Sequence, residues 1–170
     1  MKIAIIIILV LVFLIAVVVV AGAMLPREHI TRRSAHFLNS PSVVWTVING
    51  PPDWRADVKR YEIVSSGEGK RFWKEYYSRG DAITFEVVES IAEEKLVTRI
   101  ADKNLPFGGT WTYEIAPDNR GTTLTITEHG EVYNPVFRFI SRFVIGHTAQ
   151  MDKYFDSLRT RLEVLNGTGN

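Results

Sequence analysis

Residues 134–165 read NPVFRFISRFVIGHTAQMDKYFDSLRTRLEVL, and their large apolar side chains recur every three or four positions, as on one face of an α-helix. Asn134 is a suitable N-cap, Pro135 fits the first turn, and Asn166-Gly167 provides a stop. Charged residues occupy the opposite face, so this helix is expected to lie on a sheet with one side in water. We also expect a bend or break near Gly146, because glycine inside a helix costs about 1 kcal/mol relative to alanine.

The chain before this helix is dominated by short runs of β-branched and aromatic residues. Strands are predicted at residues 30–38, 58–64, 70–78, 82–89, 95–101, 110–116 and 122–131. Short turns separate most of the last six strands, which favours antiparallel neighbours. Two short helices are predicted between the first and second strands, since Ser40-Pro41 suits a helix start and a break follows at Pro51-Pro52. The predicted class is α+β.

The N-terminal segment differs in composition from the rest of the 170-residue chain. Residues 3–25 form an apolar run about 34 Å long as a helix, which is enough to cross a hydrocarbon core of roughly 30 Å. A cleaved signal peptide is the alternative, but the run is longer than the 7 to 15 residues of a typical signal core. The expected organisation is an anchor at 1–25, a joint at 26–29, one domain at 30–165 and a flexible tail at 166–170. The side of the membrane stays open.

The composition argues against several function classes. Without Lys2, the 19 remaining lysines and arginines balance the 19 aspartates and glutamates, so the basic field expected of a nucleic-acid-binding protein is lacking. The chain has no cysteine and no Gly-x-Ser-x-Gly motif for a nucleophile. Its four histidines lack metal-ligand spacing. We therefore expect neither a metal nor another cofactor, and no nucleic-acid partner.

Further motifs accompany this order of elements. They are NSPSVVW at residues 39–45, Trp54 in the second short helix, FGGTWTY at 107–113 and GTTL at 121–124. Together they resemble the START-like (SRPBCC) superfamily, especially its polyketide cyclase/dehydrase-type members, over residues 30–165. The resemblance implies a helix-grip fold, in which a curved sheet, here of seven antiparallel strands, wraps the C-terminal helix and leaves an apolar cavity for hydrophobic molecules. Because the superfamily contains enzymes and carriers, function has to be argued from the site.

Strand alternation selects the residues expected to face such a cavity. In the third strand, Trp73, Glu75 and Tyr77 share one face with Arg71, and aromatic residues recur on the neighbouring strands. The expected ligand-binding residues are Trp54, Trp73, Tyr77, Phe85, Trp111, Tyr113, Phe143, His147 and Met151. The competing interpretation is that these side chains are core packing.

Three groups are candidates for acid or base chemistry: Glu75, Glu128 and His147. Each is predicted to face apolar neighbours, where desolvation would raise the pKa of a carboxyl group. The competing interpretation is structural, with either glutamate paired to Arg71 or Arg99 and His147 packed in the helix.

Three functions remain open at this stage. The leading hypothesis is a membrane-tethered domain that binds a hydrophobic small molecule, such as a lipid or isoprenoid-like compound, between sheet and C-terminal helix. The second is a cyclase or dehydratase-type enzyme that uses one of the acid or base candidates. The third is an interaction domain with a filled core. The oligomeric state is left open.

Residues 135–145 carry more large apolar side chains than one narrow buried stripe requires. We expect Phe139 and Phe143, flanked by accessible Arg138 and Arg142, to form a movable lid that touches membrane headgroups. Reversing the charge of both arginines should then leave stability nearly unchanged. The alternative is that the segment packs against the short helices and the loop at residues 105–107.

Overall fold

The structure is a computed structural model that describes residues 2–65, 70–78, 80–146 and 148–167. Its helices and strands are α1 (Lys2–Met24), β1 (Glu28–Phe37), α2 (Pro41–Asn49), a 3₁₀ turn (Pro52–Trp54), β2 (Val58–Ser65), β3 (Arg71–Tyr77), β4 (Ala82–Ile91), β5 (Lys95–Ile100), β6 (Phe107–Asp118), β7 (Gly121–Val132), α3 (Pro135–Ile140), a π turn (Ser141–Ile145) and α4 (Ala149–Gly167). This order confirms the predicted α+β helix-grip fold. The predicted strands are all present, with ends that differ by a few residues.

The seven strands form one antiparallel sheet in the order β1-β7-β6-β5-β4-β3-β2. Strands β2 to β7 are therefore a meander, and β1 joins it by pairing with β7. Gly109, in β6, has a φ of +136°, and an added Cβ would lie 2.3 Å from the His129 carbonyl oxygen. Only glycine therefore permits the close approach of β6 and β7 at this point.

The core lies between the inner face of the sheet and α4. Met151 and Leu158 of α4 are fully buried against sheet residues such as Leu124 and Ile126. Val44 of α2 closes the same cluster. The apolar stripe read from the sequence is thus the buried face of α4, as its spacing predicted.

The C-terminal helical region is interrupted near Gly146. This residue has a φ of +80°, and its backbone N–H donates to the carbonyl oxygen of Ser141, closing the π turn. The chain resumes as α4 at Ala149. The expected break is confirmed, and the expectation of one long helix is corrected to α3, a π turn and α4.

Helix α1 has the length and composition to cross a membrane, although a signal sequence has the same character. Most of its side chains are exposed, and Gly22 is its buried residue. A Cβ on Gly22 would lie 1.9 Å from the carbonyl oxygen of Pro135 in α3, so the two backbones touch here. Small residues are what allow such close helix contact.

Arg138 joins the same two helices. Its side chain is buried, and Nη1 donates to the carbonyl oxygens of Leu25 (2.8 Å) and Ala23 (3.5 Å) at the C-terminal end of α1. A cation there satisfies free carbonyl groups and complements the helix dipole. The expectation that Arg138 is an accessible lid residue is therefore wrong, and reversing its charge would damage the fold.

Phe143 fits the lid expectation better, because it is largely exposed, as is the neighbouring Val144. Phe139 contacts Phe143 with ring centroids 4.9 Å apart. The alternative of packing also applies to part of the segment, since Phe137 stacks on Phe107 at the start of β6.

Candidate functional site

A cavity of about 180 Å³ lies between the inner face of strands β2, β3, β5 and β6 and the loop that follows α2. We call it the sheet cavity. Its aromatic wall consists of Trp54, Tyr61, Phe72, Trp73, Tyr113 and Tyr154. Ile63, which also lines the cavity, is 78% exposed and marks the mouth.

The floor of the sheet cavity carries a buried ion pair. Nη1 of Arg55 lies 2.8 Å from Oε2 of Glu75, and their side chains are only 10% and 3% exposed. The same carboxylate accepts hydrogen bonds from Trp73 Nε1 (2.8 Å) and from the hydroxyl of Tyr77 (2.5 Å). Asp57 accepts two further bonds from Arg55. Both charges are therefore fixed by several partners, as a buried pair requires.

The loop between α2 and β2 sets the position of Arg55. The 3₁₀ turn ends when the Arg55 N–H donates to the Pro52 carbonyl oxygen, and Trp54 Nε1 donates to the carbonyl oxygen of Val47 in α2. Two prolines at 51 and 52 restrict the backbone at the start of this turn. The guanidinium is consequently held by the turn itself, and it also lies over the Tyr154 ring at 5.5 Å.

Electrostatics keep Arg55 charged and the tyrosines neutral. Burial by itself lowers the pKa of Arg55, but Glu75, Tyr77 and Asp57 together raise it well above its ordinary value. Burial, reinforced by the Glu75 carboxylate, raises the pKa of Tyr77. Burial likewise raises the pKa of Tyr113 and Tyr154. The cavity is therefore lined by the neutral hydroxyl groups of Tyr113 and Tyr154 together with a fixed pair of opposite charges.

A second cavity, of about 190 Å³, lies where α1 meets the domain. We call it the anchor cavity. Its lining includes Leu25, Arg27, His29, Val132, Arg138 and Arg142. It is separate from the sheet cavity, because the two share no lining residue.

A family model described as polyketide cyclase/dehydrase and lipid transport matches residues 29–163, most of the chain. The chain belongs to this family. Its members are grouped by sequence, so membership confirms the predicted resemblance and leaves the individual activity to be argued.

Solved structures agree with the polyketide cyclase/dehydrase fold. The di-domain ARO/CYC protein StfQ from the steffimycin biosynthetic pathway has a TM-score of 0.65 at 12% identity; 82% of this chain matches 52% of StfQ, about half its length. A norcoclaurine synthase point mutant from Thalictrum flavum, in complex with a transition-state analogue, has a TM-score of 0.63 at 12% identity, covering 82% of this chain and 96% of that one. A protein of Chromobacterium violaceum has a TM-score of 0.57 at 15% identity, covering 82% and 99%. At these identities the likeness concerns the fold alone.

A search of curated protein sequences gives no match.

Within this family fold, the expected ligand-binding residues separate into distinct groups. Trp54, Trp73 and Tyr113 line the sheet cavity. Tyr77 is outside the cavity lining, and its hydroxyl donates a hydrogen bond to Glu75. Phe85 stacks on Trp73, with ring centroids 5.3 Å apart.

The remaining expected ligand-binding residues lie elsewhere. Trp111 packs against the core and contacts Tyr154, Met151 is fully buried in the core, and Phe143 is 63% exposed in the π turn. His147 lies outside the described residues. Helix α4 contributes Tyr154 to the cavity lining, so the cavity is bounded mainly by the sheet and the α2–β2 loop.

The acid and base candidates also differ in environment. Glu75 lines the sheet cavity and is paired with Arg55, whereas the sequence suggested Arg71 or Arg99. That suggestion is wrong: Arg71 donates to Asn49 at the end of α2, and Arg99 pairs with Glu86.

Glu128 is half-buried beside the core. Burial raises its pKa, an effect that a hydrogen bond from Trp111 partly offsets. Its Oε1 lies 3.9 Å from Nε2 of His29. Glu128 is outside the lining of the sheet cavity, so the structure does not bring it together with Glu75.

Sequence reasoning missed Arg55 and Tyr154. Arg55 follows a proline-rich turn, and nothing in its local pattern indicates that it points inward. Tyr154 was detectable, because it lies three residues after Met151 on the apolar stripe of α4. Among the described residues, no cluster of histidine, aspartate and glutamate could hold a metal ion.

Proposed function

We propose that this chain is a membrane-tethered binding protein for a hydrophobic small molecule, which occupies the sheet cavity. The observation that carries the proposal is a cavity with an aromatic wall whose lining includes the Arg55–Glu75 pair. Ligand pockets typically combine mostly apolar walls with a few fixed polar groups that orient the ligand. The family description, which includes lipid transport, supports the same class of ligand.

The cavity volume limits how much of the ligand is enclosed. At about 180 Å³ it is smaller than the roughly 300 to 1,000 Å³ of typical ligand pockets. It is slightly larger than an apolar cavity of about 150 Å³ that holds benzene. We therefore infer that one ring or a short branched chain enters the cavity. The rest of the molecule either extends out of the mouth past Ile63 or enters only when the mouth widens.

For the mouth of the sheet cavity to widen, one hydrogen-bonded contact would have to break. Arg71 extends from β3 to Asn49, with Nη2 at 2.5 Å from Oδ1 and Nη1 at 3.4 Å from the carbonyl oxygen. Both residues line the cavity, and Arg71 is on the exposed side. An exposed contact of this kind contributes little stability, so its opening costs little.

The proposed tether explains why the binding protein would be kept at a membrane. Helix α1 holds the domain within reach of one bilayer surface, and a tethered module meets its ligand at a raised effective concentration. A lipid-like molecule would pass from the bilayer to the cavity over a short distance.

The two competing functions have less support. Glu75 is the acid or base candidate that lines the cavity, but its oxygens already accept three hydrogen bonds from Arg55, Trp73 and Tyr77, which favours a structural role. The modest volume is the argument for an interaction domain with a filled core.

Recovery of a ligand tests the proposal. The full chain would be extracted from membranes with a styrene–maleic acid copolymer, purified, and analysed by mass spectrometry of organic extracts. We expect one class of hydrophobic molecule to be enriched over the bulk lipids. Ile63→Trp should place a larger side chain at the mouth and reduce that enrichment about tenfold, a loss of about 1.4 kcal/mol in binding.

Val88→Trp is the matched control, since Val88 is an exposed strand residue outside the cavity lining. It should retain the molecule at the parental level. Extracts that contain only bulk lipids, in the same proportions for parent and both variants, would refute binding and favour the filled-core function.

A further inference from the structure

The anchor cavity has a position and a charge that the proposed function does not use. It is formed by the end of α1, the start of β1, the end of β7 and the α3–π segment. Leu25 and Val132 supply apolar surface, while Arg27, Arg138 and Arg142 bring three guanidinium groups to one space of about 190 Å³. Such a cluster is unusual in a chain whose formal net charge is only +1.

Arg138 is the buried member of this cluster. It is 7% exposed, and its hydrogen bonds go to carbonyl oxygens of Ala23, Leu25 and Tyr133. Its Nε is buried and has no hydrogen-bond partner in the part of the chain that the structure describes. A buried N–H of a charged group is costly to leave unmatched, so this atom indicates a missing acceptor.

The positive charge of the cluster is only partly balanced. Among the described residues, none of the three arginines forms a salt bridge. Glu28 is the carboxylate in the lining, and His29 is directed toward Glu128. An anion in the cavity would therefore meet a surplus of positive charge, and guanidinium groups are well suited to phosphate.

The length of α1 determines the depth of the anchor cavity relative to a bilayer. A helix of 23 residues spans about 34 Å, slightly more than the hydrocarbon core, so its C-terminal end falls among the headgroups. Phe143 and Val144, in the π turn that follows α3, are 63% and 71% exposed. Exposed apolar side chains next to basic ones are typical of segments that lie in the membrane interface.

We propose that the anchor cavity binds the phosphate of an anionic phospholipid, held by Arg27 and Arg142 beside the buried charge of Arg138. This inference rests on the proposed tether but not on ligand binding in the sheet cavity. Its consequence is a fixed orientation: the bound headgroup would hold the α3–π segment and the domain against the bilayer surface.

The test uses the full chain in a neutral detergent. Phosphatidylglycerol and phosphatidylcholine would be added in equal amounts, and the retained lipids would be counted by native mass spectrometry. We expect preferential retention of phosphatidylglycerol. Arg27→Gln/Arg142→Gln alters exposed side chains and spares Arg138. It should weaken that retention on the order of 30-fold, because each basic residue near an anionic surface contributes about 1 kcal/mol, or about fivefold in affinity.

Arg120→Gln/Arg161→Gln is the control with the same loss of charge, since both arginines are exposed and outside the anchor cavity. It should retain phosphatidylglycerol as the parent does. Equal retention of the two lipids, or equal weakening by both double variants, would overturn the proposal. Inorganic phosphate and glycerol phosphate serve as competitors; displacement of the lipid by inorganic phosphate at comparable concentration would assign the site to free phosphate instead and also overturn it.

Two readouts separate this inference from the proposed function. Alkaline carbonate extraction of membranes reports whether α1 anchors the chain, and release of the chain would refute the tether on which both proposals depend. Loss of the hydrophobic ligand in Ile63→Trp reports on the sheet cavity alone. A chain that lacks a sheet-cavity ligand yet retains phosphatidylglycerol through Arg27 and Arg142 would support the anchor site by itself.

Discussion

The Arg55–Glu75 pair predicts an unusual order of stabilities among its variants. In Arg55→Met, Glu75 stays buried and keeps its hydrogen bonds from Trp73 and Tyr77, but it has no countercharge. Removing one partner of a buried pair typically costs about 3 to 5 kcal/mol, because the other charge is left uncompensated. The 3% exposure of the Glu75 side chain places this variant within that range.

The double variant Arg55→Met/Glu75→Met should be more stable than Arg55→Met, although it carries more changes. Removing both charges eliminates the uncompensated carboxylate and replaces the pair by apolar side chains of similar length. Glu75→Met alone should cost less than Arg55→Met, because Arg55 keeps its bonds to Asp57.

Thermal unfolding of the full chain in detergent, followed by near-ultraviolet circular dichroism, measures these differences. A loss of 3 to 5 kcal/mol corresponds to roughly 10 to 15 °C in Tm for a chain of this size. Arg60→Met is the control, since its pair with Glu62 is exposed and its loss should leave Tm nearly unchanged. A double variant less stable than Arg55→Met would refute the reasoning that an uncompensated charge dominates the cost.

Three further predictions concern other parts of the fold. Burial raises the pKa of Glu128, so ionisation disfavours the folded state, and Glu128→Gln should raise Tm at pH 8 with a gain that shrinks toward pH 4; a gain independent of pH would contradict it. Gly22→Leu should separate α1 from α3 and speed amide hydrogen exchange in α3, whereas the exposed Ala16→Leu should not; equal exchange in both would disprove the contact. Leu158→Ala should cost about 2 to 5 kcal/mol by denaturant unfolding, because Leu158 is fully buried; a loss below 1 kcal/mol would show that the core relaxes around the gap.

Much of the fold was readable from the sequence because its signals are periodic and local. The 3.6-residue spacing around Met151 and Leu158 identified the buried face of α4, and short turns between β-forming runs predicted the meander. The break at Gly146 was predictable for the same reason, because the low helix propensity of glycine is a local property. The positive φ found there is one that glycine adopts without strain. The apolar character of α1 is likewise a matter of composition.

The sites depended on contacts between distant residues, which no local pattern specifies. Alternation placed Trp73 and Glu75 on the inner face, but the partner of Glu75 is Arg55, supplied by a loop 20 residues earlier in the chain. Arg138 looked like a surface residue beside Arg142, yet it bonds to carbonyl oxygens of α1 more than 110 residues away. Sequence determined which faces are apolar, because burial follows periodicity; only the tertiary structure decided which charges meet, because their pairing depends on how separate elements pack in three dimensions.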